Sequence, residues 1–135
     1  MCLPRILFVD DEPNILDGIR RMLHRKRKEW EIQFASSGAE ALQLFEQTPF
    51  DVVVSDMRMP QMDGAELLNR IATNYPDTVR MILSGQSDKE AILRAIPVTH
   101  QYISKPCDAN ILQDQLHRSI CLRKRVHHEL VRRAV

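Results

Sequence analysis

The chain alternates between short apolar runs and longer segments in which apolar residues recur at helical spacing. Five runs are short and rich in β-branched or aromatic residues, as is typical of strands; they cover residues 5–10, 30–35, 50–56, 78–84 and 100–105. The second, third and fourth runs are nearly continuous rather than alternating. This pattern favours a sheet that is covered on both faces.

Helical patterns separate these runs. The apolar positions of the first one fall on a single face: Ile15, Ile19, Met22 and Leu23. Two later segments begin with the spacing of a capping box, formed by Ser37 with Glu40 and by Ser87 with Glu90. Further helices are predicted over 63–75 and over 108–120, the latter with Asp108 as its N-cap.

The order of elements is strand then helix, repeated five times, which implies parallel pairing through right-handed crossovers. We therefore predict an α/β fold with a doubly wound, five-stranded parallel sheet, strand order 2-1-3-4-5 and helices on both faces. Five such units are too few for an eight-stranded barrel.

Composition suits one ordinary globular domain, since the 135 residues are 44% hydrophobic and 27% charged. The formal net charge of +1 gives no overall attraction to nucleic acid or anionic membrane. No apolar stretch approaches the ~20 residues that span a bilayer. Three widely spaced cysteines, with no secretory segment, argue against disulfides or zinc and favour a reduced, cytoplasmic protein.

Polar side chains follow four of the five predicted strands. Asp10 and Asp11 follow the first, Asp56 the third, Ser84 the fourth and Lys105 the fifth. Ligands of open parallel sheets bind beyond the carboxyl ends of the strands, near the point where strand order reverses. In the order 2-1-3-4-5 the first and third strands are neighbours at that point, so we expect these side chains to form one site.

Several carboxylates in one place need a cation, and Mg²⁺ is the expected ion because it prefers oxygen ligands and keeps positions open for water and phosphate oxygens. A carboxylate beside such an ion can act as nucleophile toward a phosphoryl group and form an acyl phosphate. Lys105 would then neutralise charge on the transferred group, and Ser84 could donate a hydrogen bond to it.

Four motifs, in this order, carry a family resemblance: "FVDDEP", "VVVSDMRMPQMDG", "ILSG" and "YISKP". Together they resemble the response-regulator receiver domain of two-component signalling, which has a flavodoxin-like fold, over about residues 3–122. The resemblance implies a phosphoacceptor switch rather than an enzyme with a separate substrate. It also implies a role for each matching position: Asp56 as phosphoacceptor, Asp10 and Asp11 as Mg²⁺ ligands with Asp56 and the backbone carbonyl of Arg58, Lys105 as phosphoryl contact, and Ser84 with Tyr102 as switch residues.

The resemblance further implies that Arg58 and Gln86 tune the lifetime of the phosphorylated state and that the bond before Pro106 is cis. A sensor histidine kinase would donate the phosphoryl group. The surface of the fourth helix, fifth strand and fifth helix would then change and control an output domain or partner. Cys107 is interpreted as a small buried thiol rather than a redox site.

Two other functions stay open from the sequence. One is a Mg²⁺-dependent phosphatase that uses an aspartyl-phosphate on a separate substrate, although Arg58 stands where a second acid would be expected. The other is a binding module whose acidic site no longer turns over, against which the intact Lys105 and Ser84 argue. The basic run 20–28 is interpreted as a solvated helix face, and direct binding of nucleic acid or membrane is not expected.

The last residues, 123–135, are predicted to be a helical linker toward an output domain, which separates them from a receiver domain over 3–122. A four-three pattern runs through this helix, but two polar members weaken it as a coiled-coil seam; it comprises Leu112, Leu116, Ser119, Arg123, Val126 and Leu130. A homodimer therefore stays open. Residues 84–96 and 101–112 resemble receivers that are joined to HD-type hydrolase domains.

Overall fold

A computed structural model describes the backbone of residues 3–85, 88–105 and 108–133, and the side chains of these ranges as far as Cys121. The predictions for Gln86, Ser87, Pro106 and Cys107 lie outside the described residues. So do the side chains of the predicted linker.

Strands and helices alternate along the described chain as predicted. The strands are β1 (Arg5–Val9), β2 (Glu31–Ala35), β3 (Val52–Asp56), β4 (Val79–Ser84) and β5 (Gln101–Ser104). The helices are α1 (Pro13–Met22), α2 (Gly38–Gln47), α3 (Gly64–Asn74), α4 (Lys89–Ala95) and α5 (Ala109–Arg133). Short 3₁₀ turns follow α1 at His24–Lys26 and α4 at Ile96–Val98.

The five strands form one sheet in the order β2-β1-β3-β4-β5, and every neighbouring pair is parallel. The predicted α/β architecture and strand order are therefore confirmed. β1 and β3 lie side by side at the centre, in a register that places Val9 opposite Ser55. The residues that directly follow this pair are Asp10 and Asp56. They lie at the carboxyl edge of the sheet.

Two hydrophobic cores lie on opposite faces of the sheet, because successive side chains of a strand point to opposite sides. Leu7 and Val53 point to the core that includes Phe45 of α2 and Leu68 of α3. Ile6, Phe8, Val52 and Val54 point to the other core, with Ile19 of α1 and with Leu112 and Leu116 of α5. β3 and β4 are buried along their whole length, which explains their continuous apolar sequences.

The nearly continuous apolar sequence of β2 predicts a strand covered on both faces, but β2 is not fully buried. It is an edge strand, paired only with β1 among the described residues, and Glu31 to Phe34 are exposed or half-buried. The capping box predicted at α2 is also only half formed. Ser37 Oγ accepts a hydrogen bond from the Glu40 N–H at 3.1 Å, but the Glu40 carboxylate binds the N–H and hydroxyl of Ser36 instead.

α5 extends over 25 residues, so the backbone continues as a helix from the predicted segment 108–120 into the predicted helical linker. Leu112, Leu116 and Ser119, which open the four-three pattern, are buried in this domain. These three positions pack on the sheet and do not form a free coiled-coil seam. Among the described residues, no helix combines the length and apolar character needed to cross a membrane.

Candidate functional site

Parallel strands bring the predicted site residues to one edge of the sheet. Asp10 follows β1, Asp56 ends β3 and Ser84 ends β4. The Lys105 N–H donates a hydrogen bond to the Ser84 carbonyl at 2.8 Å, which extends the pairing of β4 with β5 by one residue. The Lys105 ammonium is thereby directed toward the acids, and its Nζ lies 2.6 Å from Asp56 Oδ1.

Three carboxylates form an acidic cluster at this edge. One oxygen from each of Asp10, Asp11 and Asp56 lies within 4.8 Å of the other two. Asp10 and Asp56 are buried, at 2% and 7% exposure, whereas Asp11 is exposed. The cluster therefore opens to solvent on one side and is closed by the sheet on the other.

Asp10 carries the clearest sign that a cation belongs at the cluster. Its Oδ1 accepts the Glu12 N–H at 2.9 Å, but its buried Oδ2 has no hydrogen-bond partner among the described residues. Burial raises the pKa of Asp10 to about 6; the Glu12 N–H opposes this, and the nearby charge of Asp56 adds to it. An all-oxygen set with an unpartnered buried oxygen suits a hard divalent cation such as Mg²⁺.

Lys105 partly neutralises these acids. Burial opposes its charge, but the hydrogen bond and charge of Asp56, together with the charge of Asp10, raise the pKa of Lys105 above its usual value. Its Nζ is 3.6 Å from Asp10 Oδ2, too far for a hydrogen bond. The ammonium is therefore held mainly by Asp56 and stays charged at neutral pH.

The predicted switch residues lie on one face of the sheet. The register pairs Tyr102 with Ile82 and Ser104 with Ser84, so Ser84 and Tyr102 both belong to the side that packs on α3 and α4. Ser84 is 7% exposed. The Tyr102 hydroxyl is buried and, within the described part of the chain, lacks a hydrogen-bond partner.

The loop after β3 packs closely on Asp56. Gly64 opens α3, and a Cβ there would lie 2.4 Å from the Asp56 carbonyl oxygen. The Gly64 N–H also donates to the Met57 carbonyl at 2.9 Å. Gln61 has φ of 68°, and the Met62 N–H donates to the Pro60 carbonyl at 2.7 Å, so this loop contains a γ-turn.

Sequence reasoning missed Asp88. It lies in the loop between β4 and α4, is 5% exposed, and forms an ion pair with Arg58, whose Nε is 2.6 Å from Asp88 Oδ1. The long-range contact with Arg58 had no signal in the sequence.

Comparison with known proteins agrees with this geometry. The response regulator receiver domain profile matches residues 6–117. The chain is 33% identical over 117 residues to the hydrogenase transcriptional regulatory protein HoxA of Cupriavidus necator, covering 85% of this chain and 24% of that protein. It is 32% identical over 130 residues to the regulatory protein AtoC of Escherichia coli, covering 92% of this chain and 27% of that protein. The chain thus spans about a quarter of the length of these relatives.

Solved structures give the same result. A signal receiver domain of an HD domain-containing protein from Pseudomonas fluorescens Pf-5 has a TM-score of 0.89 at 33% identity, covering 95% of this chain and 94% of that one. A two-component transcriptional regulator AraC from Clostridium phytofermentans ISDg has a TM-score of 0.82 at 37% identity, and the match covers 90% of this chain and 96% of that one. With the profile match extending over most of the chain, this protein belongs to the family of response-regulator receiver domains.

Proposed function

We propose that the chain is a phosphoacceptor switch in which Asp56 takes a phosphoryl group from a sensor histidine kinase. The observation that carries this proposal is the contact of the Lys105 ammonium with Asp56 Oδ1 at 2.6 Å, inside a cluster with Asp10 and Asp11. A carboxylate held beside an amine and two further acids matches the requirements of phosphoryl transfer, which depends on positioning and on charge neutralisation.

Asp10, Asp11 and Asp56, with the backbone carbonyl of Arg58, would hold Mg²⁺. When bound, the ion supplies positive charge that offsets the repulsion between the acids and the incoming phosphoryl oxygens. The unpartnered Oδ2 of Asp10 supports this assignment, because a buried carboxylate oxygen without a partner is costly.

Asp56 would act as the nucleophile. One of its carboxylate oxygens forms a bond to phosphorus while the bond between phosphorus and the donor's histidine nitrogen breaks. The electron pair of the broken bond stays on that nitrogen and the imidazole takes up a proton from solvent, which yields an acyl phosphate on Asp56 and a neutral histidine. Lys105, released from Asp56 Oδ1, would pair with a phosphoryl oxygen. The Ser84 hydroxyl would donate to another.

The switch would then act through the α4-β5-α5 surface. Movement of Ser84 toward the phosphoryl group opens space on the face that it shares with Tyr102, and the unpartnered Tyr102 hydroxyl can turn without breaking a hydrogen bond within the described structure. α4 carries Leu93 at 66% exposure, and Ile96 directly after it is 53% exposed. A population shift of this surface would control the output.

The output domain would lie beyond residue 135, with 123–135 as a helical linker from a receiver domain over 3–122. The uninterrupted α5 supports this arrangement. An HD-type hydrolase is our candidate for the output, supported by the structural neighbour from an HD domain-containing protein. We further propose that the domain is cytoplasmic and assists only its own phosphorylation and dephosphorylation. A homodimer would pair through α5 or the output region.

Intact-mass spectrometry with Mg²⁺ and a small phosphodonor such as acetyl phosphate tests the function. We expect a stoichiometric gain of one phosphoryl group that is lost in Asp56→Asn and retained in Asp51→Asn, a carboxylate at the opposite end of β3. No gain with either small donors or a cognate kinase would refute the proposal. Sustained turnover of an added phosphate ester, instead of a single modification, would indicate the phosphatase.

A further inference from the structure

The basic run of residues 20–28 leaves the first helix and turns toward the edge of the sheet. α1 ends at Met22, a 3₁₀ turn follows at His24–Lys26, and β2 begins at Glu31. Residues 20–31 contain six lysines and arginines but only two acids, in a chain whose net charge is +1. The run is therefore a turn with a local excess of positive charge, and only its first residues belong to the predicted solvated helix face.

Most of this charge is not neutralised by the described part of the chain. Glu29 is already engaged with Lys26, whose Nζ lies 3.1 Å from its carboxylate. Four further cations of the run have no ion pair among the described residues: Arg21, Arg25, Arg27 and Lys28. An anion near this turn would therefore meet positive charge that the protein does not itself offset.

A cavity of about 400 Å³ lies between this turn and β2. Its volume is within the range of about 300–1,000 Å³ that is usual for small-molecule sites. The lining includes apolar side chains and basic ones: Leu23, Trp30 and Phe34 with Arg20, His24 and Arg27. Glu31 also lines the cavity, but its charge is offset by Arg5 at 2.6 Å. The cavity thus combines an aromatic wall with uncompensated positive charge.

Arg20 and Phe34 form a stack within this lining. The guanidinium carbon Cζ of Arg20 lies 4.5 Å from the centre of the Phe34 ring, and that ring is itself stacked with Phe8. The Arg20 side chain is 59% exposed, and its pair with Asp17, also 59% exposed, holds it only weakly. Nucleobases stack on aromatic rings and on guanidinium planes. The stack is therefore open to extension by one base from the solvent side.

Arg27 is placed to bind phosphate in the same cavity. Its Nη1 donates a hydrogen bond to the His24 carbonyl at 2.8 Å, which is the only hydrogen bond of this side chain within the described ranges. The bond holds the guanidinium against the turn, and a guanidinium has five N–H donors, so others are left for a ligand. Arginine pairs with phosphate in a bidentate manner. A ligand with both a base and a phosphate therefore matches the two arginines.

We propose that this cavity binds a nucleotide, with the base stacked on Arg20 against Phe34 and the phosphate paired with Arg27. A free nucleotide is favoured over a nucleic-acid strand, because the excess charge is confined to one turn and the net charge of +1 provides no extended basic surface for a phosphate backbone. The residues named here lie within 20–34, apart from the acidic cluster and from the α4-β5-α5 surface. The inference is therefore independent of the proposed function of Asp56.

An NMR titration with guanosine monophosphate tests the site. Trp30 is the one tryptophan of the chain and lines the cavity, so its indole N–H resonance is an isolated reporter. EDTA is present, so that no metal at the acidic cluster binds the phosphate. We expect a saturable shift of this resonance. Guanosine and ribose phosphate each lack one half of the nucleotide and should bind at least about tenfold more weakly.

Substitutions separate the cavity from the surrounding charge. Arg27→Gln should weaken binding about tenfold, because a charge-assisted hydrogen bond to phosphate is lost. Phe34→Leu should weaken it at least about fivefold, because the aromatic support of the stack is lost. Arg21→Gln is the matched control: Arg21 is exposed, belongs to the same run and does not line the cavity. This variant should bind within about twofold of the wild type.

Four outcomes would overturn the proposal. An unchanged Trp30 resonance at millimolar nucleotide would show that the cavity is not a binding site. Equal weakening in Arg21→Gln and Arg27→Gln would indicate a diffuse basic surface instead of a cavity. Ribose phosphate that binds as tightly as the nucleotide would indicate a plain phosphate site. A short single-stranded RNA that binds more tightly than the nucleotide, and loses this affinity in Arg21→Gln, would indicate a nucleic-acid surface.

Discussion

The Lys105 ammonium lies 2.6 Å from Asp56 Oδ1 and 3.6 Å from Asp10 Oδ2, so a single cation from the fifth strand faces the acids that follow the first and third strands. The contact between Lys105 and Asp56 places a positive charge beside the carboxylate that we propose as the phosphoacceptor. It also reduces the repulsion between Asp10 and Asp56 while no metal is bound.

Replacing this amine should slow phosphorylation without unfolding the domain. In Lys105→Met we expect acetyl phosphate to modify Asp56 on the order of tenfold to a hundredfold more slowly, because charge on the transferring group loses one stabilising partner. Rates of phosphoryl mass gain measure the effect. Lys89→Met, an exposed lysine at the start of α4, is the control. Equal rates in Lys105→Met and the wild type would contradict the role assigned to Lys105.

Asp10 should make the metal-free protein less stable as pH rises. Because its pKa is raised from 3.8 to about 6, the folded state binds more protons than the unfolded state between these values, so the free energy of unfolding falls from about pH 4 to about pH 6. The total fall in the free energy of unfolding over this pH range is roughly 2–3 kcal/mol, because each tenfold change in Ka corresponds to about 1.4 kcal/mol. Urea unfolding, followed by the fluorescence of the buried Trp30, measures it.

Asp10→Asn should lack this decline and be more stable than the wild type at pH 7 without metal. Asp11→Asn removes a neighbouring but exposed carboxylate and should keep most of the decline. Mg²⁺ at saturation should stabilise the wild type more than Asp10→Asn. If both proteins respond alike to pH and to Mg²⁺, Asp10 is not the residue that couples stability to the metal.

Gly64→Ala should destabilise the domain and displace Asp56. The added Cβ would lie 2.4 Å from the Asp56 carbonyl oxygen, and backbone atoms cannot yield as a flexible side chain can. We expect a loss of about 1–3 kcal/mol in the free energy of unfolding, together with slower phosphorylation. Gly18→Ala, at a site with nothing within 4 Å, should be neutral or stabilising. Unaltered stability of Gly64→Ala would show that the loop can move away.

Tyr102→Phe should leave the unphosphorylated domain as stable as the wild type or up to about 1 kcal/mol more stable, since the buried hydroxyl has no partner among the described residues. Tyr102→Ala should instead lose stability, because the ring packs against the core that contains Ile82. Thermal unfolding of the two variants separates the contribution of the ring to stability from that of the hydroxyl. A marked loss in Tyr102→Phe would mean that the hydroxyl is hydrogen-bonded in solution.

The sequence allowed the sheet and the central part of the site to be predicted. Continuous apolar runs at β3 and β4 require burial on both sides, and helices between the runs require parallel strands. Since parallel strands end at one edge, Asp10, Asp56 and Lys105 had to lie close together once the strand order was given. Their functional roles remain predictions that the experiments above address.

Other features could not be read from the residues. The incomplete burial of β2 follows from its position at the edge of the sheet, not from its composition. No Gly or Pro marks where the domain passes into the linker, and the predicted boundary at 122–123 lies inside one continuous helix, so that boundary stays a prediction. Asp88 was passed over because its partner Arg58 is far away in sequence.

By itself, then, the sequence determined the alternation of strands and helices, the parallel sheet and the identity of the polar residues at the strand ends, since hydrophobic periodicity and connection length are local properties. Only the tertiary structure decided which oxygen Lys105 contacts, how burial raises the pKa of Asp10 and which arginine pairs with Asp88. Each of these depends on distances between segments remote in sequence, and electrostatic energies and hydrogen bonds change steeply with such distances.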